Sequence, residues 1–170
     1  MVQAVDASCK IFDFAKMYEQ LGAEELSLID VRSAVDQAVE LFFNSLNFKV
    51  INECDGLRVI ADSFLRQMFY NLIDNTRKYG QKTTTVRIHY EGIDENNLRL
   101  IYEDDGVGIS LENKSQLFKQ GFSTGGSTGF GLFLTKKMLE VYGWTITEEG
   151  EQDKGAKLLI TIPAGAFSAP

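Results

Sequence analysis

The stretch from 62 to 80 constrains the fold of this chain most, because it combines an apolar stripe with an amide-rich face on one predicted helix. Asp62 or Ser63 can cap the start of this helix, and Gly80 can end it. The stripe consists of apolar residues that recur at helical spacing: Phe64, Leu65, Met68, Leu72 and Ile73. Such a stripe must pack against a core, which leaves the other faces to solvent or to a ligand.

The second face of this helix carries Asn71, Asn75 and Lys78, which lie at i, i+4 and i+7. Asparagine is a mediocre helix former, because its side chain competes with the backbone for hydrogen bonds. Amide oxygens suit a hard cation such as magnesium, and lysine suits the phosphates that accompany magnesium. A solvated polar face explains the pattern equally well, so this helix alone does not decide between the two interpretations.

Alternating and β-branched segments predict strands along the rest of the chain, with helices placed singly between them. The predicted strands are 28–31, 48–52, 57–60, 83–90, 98–103, 144–148 and 156–162. The other predicted helices run from Ser33 to about Leu46, over 115–118 and over 131–142. This order indicates an α+β two-layer sandwich, in which about three helices cover one face of a mostly antiparallel, mixed sheet.

Two features of the loops complete this prediction. Asp55 and Gly56 have the chemistry of a tight turn, so a hairpin is expected between the second and third strands. The residues after Pro163 are expected to form a loose tail.

Residues 1–21 form a further predicted helix with a narrower apolar stripe. The stripe alternates steps of three and four through Ala4, Ala7, Ile11, Phe14, Tyr18 and Leu21. This spacing is the heptad seam of a coiled coil or a helical bundle. The seam calls for partner helices, and the alternative is that this helix packs on its own domain.

The composition excludes several classes of function. The formal net charge is -7 and no basic cluster occurs, so nucleic acid is not an expected partner. There is no apolar run of membrane-spanning length and no signal peptide, and Cys9 and Cys54 lack metal-type spacing, so we expect a cytoplasmic domain. His89 is the only histidine, which leaves little for a multi-histidine metal site.

Four segments resemble, in order, the motif boxes of the histidine-kinase ATP-binding domains. These domains belong to the GHKL superfamily, which has the Bergerat fold and includes DNA gyrase and the mismatch-repair ATPases. Asn71–Gly80 resembles the N box, Glu103–Ile109 the first glycine box, Leu117–Phe122 the phenylalanine box and Gly129–Leu134 the second glycine box. Each motif is weak alone, whereas four in the family's order are strong. The resemblance covers roughly residues 27 to 163.

The resemblance implies that ATP or ADP binds with Mg²⁺ between the helical layer and a lid formed by residues 119–128. In the family, the first aspartate of the first glycine box accepts a hydrogen bond from the adenine amine, and this position is Asp104. Guanine presents an oxygen there, so the aspartate selects adenine. Asp-Asp-Gly after a strand is also common in plain turns, which the motif alone does not exclude.

The remaining site residues follow position by position from the same resemblance. Asn75, with Asn71 beside it, would ligate magnesium and Lys78 would neutralise phosphate charge, which makes these three the predicted catalytic residues. The glycines of the second box open a helix whose free N–H groups favour phosphates. The predicted nucleotide-binding set adds Tyr79, Gly106, Gly108, Ile109, Phe118, Gly129, Phe130, Gly131 and Leu132. The family often has a glycine two positions before Gly129, where this chain has Ser127.

The function implied is that of the ATP-binding catalytic domain of a two-component sensor histidine kinase. Residues 1–26 would be the end of a dimerisation helix with its connector, 27–165 the ATP-binding domain and 166–170 a tail. The expected partners are the phosphoacceptor and dimerisation helices of the same full-length protein and a downstream response regulator. The intact protein is expected to be a homodimer, either soluble or membrane-anchored, and this chain alone a monomer.

Other functions of the same fold remain open at this stage. They are a nucleotide-driven conformational ATPase, an anti-sigma-type serine kinase and a non-catalytic nucleotide-binding module. Gyrase-type ATPases need a glutamate base early in the N-box helix, where this chain has Asn71, with Asp74 about three residues round the helix. The N-terminal heptad seam favours the histidine kinase.

Overall fold

A computed structural model describes residues 2–43, 45–94, 96–125 and 127–170, with the backbone alone described for residues 2–10. The predicted α+β class is confirmed. The helices are α1 (Val2–Gln20), α2 (Val31–Glu40), α3 (Phe64–Tyr79), α4 (Leu111–Lys114) and α5 (Gly131–Tyr142). The strands are β1 (Ser27–Asp30), β2 (Lys49–Asn52), β3 (Arg58–Ala61), β4 (Thr85–Gly92), β5 (Asn97–Asp104), β6 (Thr145–Glu148), β7 (Lys157–Pro163) and β8 (Phe167–Ser168).

The strands form two sheets. The larger has the order β2-β4-β5-β7-β6, and the smaller has the order β1-β3-β8. Within the larger sheet β2 runs parallel to β4, and the other neighbours are antiparallel. Tyr102, at the centre of β5, lies opposite Ile88 of β4 and Leu158 of β7. The predicted mixed, mostly antiparallel sheet is therefore confirmed.

The core lies between this sheet and three helices, α2, α3 and α5. On β4 and β5, alternate residues such as Val86, Ile88 and Tyr102 point into it, as the two-residue period of a strand requires. The apolar stripe of α3 is buried at Leu65, Met68, Leu72 and Ile73, whereas Phe64 is only partly buried. The resulting core holds α3 against the sheet with its amide-bearing face at the edge of the helical layer.

The predicted hairpin between β2 and β3 is wrong. The turn itself forms, with Gly56 at φ +76°, but the two strands join different sheets. Cys54 and Leu57, on either side of the turn, are both fully buried. The Leu57 carbonyl accepts a hydrogen bond from Val31 N at 3.0 Å. The turn at Asp55 and Gly56 is therefore exposed while the residues on either side of it are buried in the core, an arrangement that stabilises the chain more than an isolated two-stranded ribbon would.

Three helix and tail boundaries also differ from the prediction. Asp30, not Ser33, caps α2 by accepting from Ser33 N at 2.7 Å, and the helix ends at Glu40 rather than near Leu46. The short helix of the lid region is α4, and residues 115–118 form turns instead. The predicted loose tail is wrong for Phe167–Ser168, because these residues pair with β3 as β8.

The predicted N-terminal helix is confirmed as α1, and its C-terminal half packs on the domain. The Phe14 ring stacks on Phe130 with a centroid distance of 4.2 Å, and Tyr18 lies 6.2 Å from Phe133. Ile11, from the same seam, is 52% exposed. Ala4 and Ala7 lie outside the residues whose side chains are described. Within the part of the chain that is described, no helix combines the length and apolar character needed to cross a membrane.

Candidate functional site

A cavity of about 950 Å³ lies between the C-terminal half of α3, the loop after β5 and the lid. It collects most of the predicted site residues from three separate parts of the sequence. Those lining it are Asn71, Asn75, Lys78, Tyr79, Asp104, Gly108, Ile109, Gly129, Gly131 and Leu132. Sequence order and fold therefore converge on one concave site of a size suited to a nucleotide.

Asp104 lies at the wall of this cavity with its carboxylate held by three donors. Its Oδ1 accepts from Gly106 N at 2.9 Å and from Ala156 N at 3.1 Å, and its Oδ2 accepts from Thr76 Oγ1 at 2.8 Å. The neighbouring Asp105 instead accepts from Thr84 N and Thr85 N at the start of β4. The structure thus distinguishes the two carboxylates, with Asp104 at the cavity and Asp105 binding the neighbouring strand.

Gly106 and Gly108 both follow Asp104, and a side chain is excluded at each position for a different reason. A Cβ on Gly106 would lie 2.6 Å from Gly80 O, so this residue permits the loop to pack on the end of α3. Gly108 has φ +66°, and a Cβ there would lie 2.3 Å from Glu151 O. Gly106 does not line the cavity, so close packing beneath the site explains it better than contact with a base.

The two asparagines of α3 have different surroundings. Asn71 accepts from Gln67 Nε2 at 3.0 Å and donates to Gly131 O at 3.3 Å and Thr135 Oγ1 at 3.4 Å, which links α3 to α5. Asn75 is half-buried at the cavity, and the described residues offer its side chain no hydrogen-bond partner. Asn75 is therefore available to a ligand, whereas Asn71 already holds two helices together.

Lys78 is paired within its own helix. Its ammonium contacts Asp74 Oδ2, while Asp74 Oδ1 lies 2.6 Å from Arg77 Nη2. The sequence prediction did not include this ion pair, although the i, i+4 spacing of Asp74 and Lys78 was a visible signal. A phosphate would have to draw Lys78 away from Asp74.

The donor set fits magnesium that is bound mainly by its nucleotide. The described residues contain no group of three or more acidic, histidine or cysteine side chains arranged to hold a metal. Magnesium usually keeps several waters and takes one or two protein ligands beside substrate phosphates. The unengaged Asn75 amide fits such a site, and Asn71 Oδ1 would fit only after releasing Gln67.

The lid contacts α3 through a cluster of three hydroxyls, Tyr79, Ser123 and Ser127, which we call the hydroxyl cluster. Tyr79 OH lies 3.0 Å from Ser123 Oγ and also contacts Ser127 Oγ. Ser123 Oγ in turn accepts from Ser127 N at 3.1 Å. Ser127, the departure from the family pattern, thus joins the lid to the end of α3. Sequence reasoning missed this role, because it depends on residues 48 positions apart.

Two further predicted residues, Phe118 and Phe130, do not line the cavity. Phe118, predicted to be among the nucleotide-binding residues, packs against the main core instead. Phe130 stacks on Phe14 of α1, so its ring faces away from the nucleotide position that the motif implied. Gly129, which precedes Phe130, adopts φ +66°. It lies so close to Gly121 that a Cβ on Gly129 would be 2.4 Å from the carbonyl carbon of Gly121.

A partly buried ion pair holds α4, the helix that leads into the lid, and the sequence analysis missed it. Lys114 Nζ, on α4, lies 2.7 Å from Glu148 Oε2 of β6, whose side chain is 2% exposed. Glu148 Oε1 also accepts from Gly150 N at 2.9 Å. Because an unpaired buried charge is costly, this contact holds α4 against the last hairpin.

The face of the sheet opposite the helices carries His89. Burial, followed by the nearby Arg87 charge, lowers the pKa of His89 below its ordinary value. A groove of about 480 Å³ lies on the same face, lined by charges of both signs that include Arg87, Glu103 and Lys157. His89 is therefore separated from the cavity by the sheet itself.

Comparison with known proteins identifies the family. Residues 61–166 match the family model described as histidine kinase-, DNA gyrase B-, and HSP90-like ATPase. The aerobic respiration control sensor protein ArcB of Escherichia coli K12 is 35% identical over 117 residues, which are 63% of this chain and 15% of ArcB. The circadian input-output histidine kinase CikA of Synechococcus elongatus is 33% identical over 136 residues, 74% of this chain and 17% of CikA. The chain thus spans less than a fifth of these relatives.

Solved structures agree on the fold. The mycobacterial sensor histidine kinase MprB superposes with a TM-score of 0.69 at 22% identity, over 83% of this chain and 99% of that one. Full-length ShkA in complex with AMPPNP gives a TM-score of 0.77 at 20% identity, over 99% of this chain and 38% of that one. The chain belongs to the family of histidine kinase-, DNA gyrase B- and HSP90-like ATPases, and it contains a nucleotide-binding domain of the sensor histidine kinase type.

Proposed function

We propose that this chain binds Mg-ATP in the cavity beside α3 and presents the γ-phosphate to a histidine on a dimerisation helix. The observation that carries the proposal is the Asp104 carboxylate at the cavity wall, with Oδ1 satisfied by two backbone donors and Oδ2 by one hydroxyl. A carboxylate oxygen accepts more than one hydrogen bond, so Oδ2 retains the capacity to accept from the adenine amine. The same oxygen would repel the carbonyl of guanine.

The phosphates would lie toward the C-terminal half of α3. Asn75 would ligate magnesium there, with Asn71 beside it, and Lys78 would leave Asp74 to neutralise phosphate charge. The backbone around Gly129 and Gly131, at the start of α5, would approach the phosphates from the other side. A magnesium ion held by these residues would supply further neutralisation of phosphate charge.

This arrangement suits phosphoryl transfer without a catalytic base in the domain. Transfer of a γ-phosphate depends mostly on positioning and on charge neutralisation. Asp74, the acidic residue of the N box, lines the cavity but stays paired with Arg77 when Lys78 turns to the phosphates, so its carboxylate is not free to activate water. This ion pairing disfavours a gyrase-type hydrolase and favours transfer to an acceptor that brings its own nucleophile, the imidazole of a histidine.

The relatives named above are sensor proteins, which supports a place in two-component signalling. We place the acceptor histidine on dimerisation helices of the full-length protein, with a response regulator downstream and a cytoplasmic location for this domain. Residues 1–26 would be the end of such a helix and its connector, and 27–165 the catalytic domain.

The test is calorimetric titration of Asp104→Ala with Mg-ATP and Mg-GTP. Loss of a charge-assisted hydrogen bond costs of order ~1–3 kcal/mol, so ATP should bind about 5- to 150-fold more weakly, while GTP, relieved of the repulsion, should bind at least as tightly as before. Asp105→Ala is the matched control, because its carboxylate binds the start of β4 instead of lining the cavity. Unchanged ATP affinity in Asp104→Ala would refute the assignment.

A further inference from the structure

A chain of hydroxyls leads from the core to Asp104. Tyr102 OH donates to Thr76 Oγ1 at 2.9 Å, and Thr76 Oγ1 donates to Asp104 Oδ2 at 2.8 Å. Tyr102 is 1% exposed and Thr76 is 6% exposed, yet both reach the wall of the cavity. Neither residue was among the predicted site residues.

The direction of this chain is fixed by chemistry. An ionised carboxylate only accepts, so the single hydroxyl proton of Thr76 must point at Asp104. Thr76 can then only accept from Tyr102. Burial raises the pKa of Tyr102, which keeps the phenol protonated and therefore a donor. The shorter contact of Tyr102 OH is the one to Thr76, which gives the order Tyr102 to Thr76 to Asp104.

Tyr102 also frees Thr76 from its own helix. A threonine inside a helix commonly donates to the carbonyl four residues earlier, which here is Leu72 O. Tyr102 OH, whose single proton goes to Thr76 Oγ1 at 2.9 Å, also lies 3.2 Å from that carbonyl, so its oxygen occupies the place to which the Thr76 hydroxyl would otherwise turn. The Thr76 hydroxyl is thereby directed out of the helix toward Asp104.

We propose that Thr76 and Tyr102 are positioning residues that set the preference of this site for a purine with an amino group at position 6. The proposal rests on the adenine-binding function proposed above for Asp104. The two backbone donors hold Oδ1 in place. The Thr76 hydroxyl fixes the other oxygen, so that the remaining acceptor direction of Oδ2 is aimed at one point in the cavity rather than shared with water.

The same contact links the base subsite to the phosphate subsite. Thr76 immediately follows Asn75 on α3, and Asp104 ends β5 on the sheet. A shift of α3 relative to β5 would therefore change the adenine contact and the position of Asn75 together. Thr76 contacts Asp104, 28 positions later in the sequence, and Tyr102, 26 positions later. Through these two contacts Thr76 joins the helical layer to the sheet at this site.

The experiment measures dissociation constants for Mg-ATP and for Mg-bound purine riboside triphosphate, which lacks the 6-amino group. The quantity of interest is the ratio of the two constants, which isolates the contact to the amine from any general loss of binding. Thr76→Val should reduce the preference for ATP by about 3- to 10-fold, the range for one lost hydrogen bond in the network. Thr76→Ser, which keeps the hydroxyl, should retain the preference.

Tyr102→Phe tests the second link and should lower the preference in the same direction, even if Thr76→Val folds poorly. Tyr142→Phe is the matched control, since it also removes a buried phenol, one that donates to Asp62 Oδ1 away from the cavity. It should lower the melting temperature without changing the ratio. A ratio unchanged in both Thr76→Val and Tyr102→Phe would overturn the proposal.

Failure of the underlying function would look different. If the wild-type chain showed no preference for ATP over the analogue, or if Asp104→Ala kept that preference, the assignment of Asp104 would fall and this inference with it. If Asp104→Ala lost the preference while Thr76→Val and Tyr102→Phe kept it, the assignment of Asp104 would stand and only the hydroxyl chain would be refuted.

Discussion

Asn71 and Asn75 show how two identical side chains on one helical face acquire different roles. Asn71 bridges to Gly131 and Thr135 of α5, while Asn75 faces the cavity. Their spacing put both on one face of the helix, and the family resemblance named Asn75 as the magnesium ligand with Asn71 beside it. The contacts between helices, which spacing does not reveal, make Asn75 the better candidate.

Asn75→Ala should weaken binding of Mg-ATP more than binding of ATP in the presence of a chelator, because it removes a metal ligand and no contact to the base. Titration calorimetry with and without magnesium measures both affinities. Asn71→Ala is the comparison, and it should weaken both forms to a similar extent, because it loosens α3 from α5. If Asn75→Ala weakened binding of Mg-ATP and of metal-free ATP by the same factor, Asn75 would have a structural role instead of a metal-binding one.

At the residue scale, a short motif in the sequence locates residues that the fold brings to the cavity. Asp104 and Asn75 are predicted from such motifs, and both line the cavity. Thr76, Ser127 and the pair Lys114–Glu148 could not be predicted in this way, because their roles depend on partners 26 to 48 positions away. The signal of Ser127 was present as a departure from the family pattern, but its partner Tyr79 appears only in the folded chain.

At the scale of elements, the lid has a fixed root and a tip held by few contacts. The Lys114–Glu148 pair anchors the root. Within 119–125 and 127–129 no residue is buried, and the hydroxyl cluster supplies the side-chain contacts of the tip to α3. Segments with few buried apolar contacts open with a low free energy.

The amides of 121–128 should therefore exchange faster than those of α3 and α5 in the nucleotide-free protein, as measured by hydrogen exchange. Tyr79→Phe should accelerate them further, by about 2- to 12-fold for a hydrogen bond of roughly 0.5–1.5 kcal/mol. Tyr90→Phe is the control, because its hydroxyl donates to Asp55 O at a distance from the lid. Strong protection of the lid in the empty protein would contradict this prediction.

Elements that could be predicted from the sequence are those specified locally. The apolar period of α3 and the glycine that ends α5 at φ +74° are both local signals. The strand that pairs with β2 is not specified by a local signal. The turn at Gly56 forms as expected, but β2 pairs with a strand more than thirty residues later. Burial of Cys54 and Leu57 decides that pairing, and burial is a property of the assembled core.

At the scale of the whole molecule, the sheet lies between the proposed phosphate donor and His89, which is the only histidine in the chain. Val86 and Ile88 of β4 face the helical core, so strand alternation places His89 on the opposite face. In-line transfer requires the nucleophile within about 3–3.5 Å of the phosphorus. A residue behind the sheet does not reach the cavity.

The purified chain should therefore not label itself when incubated with γ-labelled ATP. The dimerisation helices of the full-length protein, which are proposed to carry the acceptor histidine, should become labelled when they are added as a separate polypeptide. The acid lability of phosphohistidine identifies the product, and the Asp104→Ala chain is the negative control. Acid-labile label on His89 would show that the chain reaches its own histidine.

The central claim is that the nucleotide occupies the cavity beside α3, and hydrogen exchange with and without Mg-AMPPNP tests it most directly. Protection is expected at 71–80, 104–109 and 129–132, together with the lid. The opposite face of the sheet, around His89 and Arg87, should exchange unchanged. Protection confined to that opposite face, with none along α3 and the glycine loops, would contradict the account.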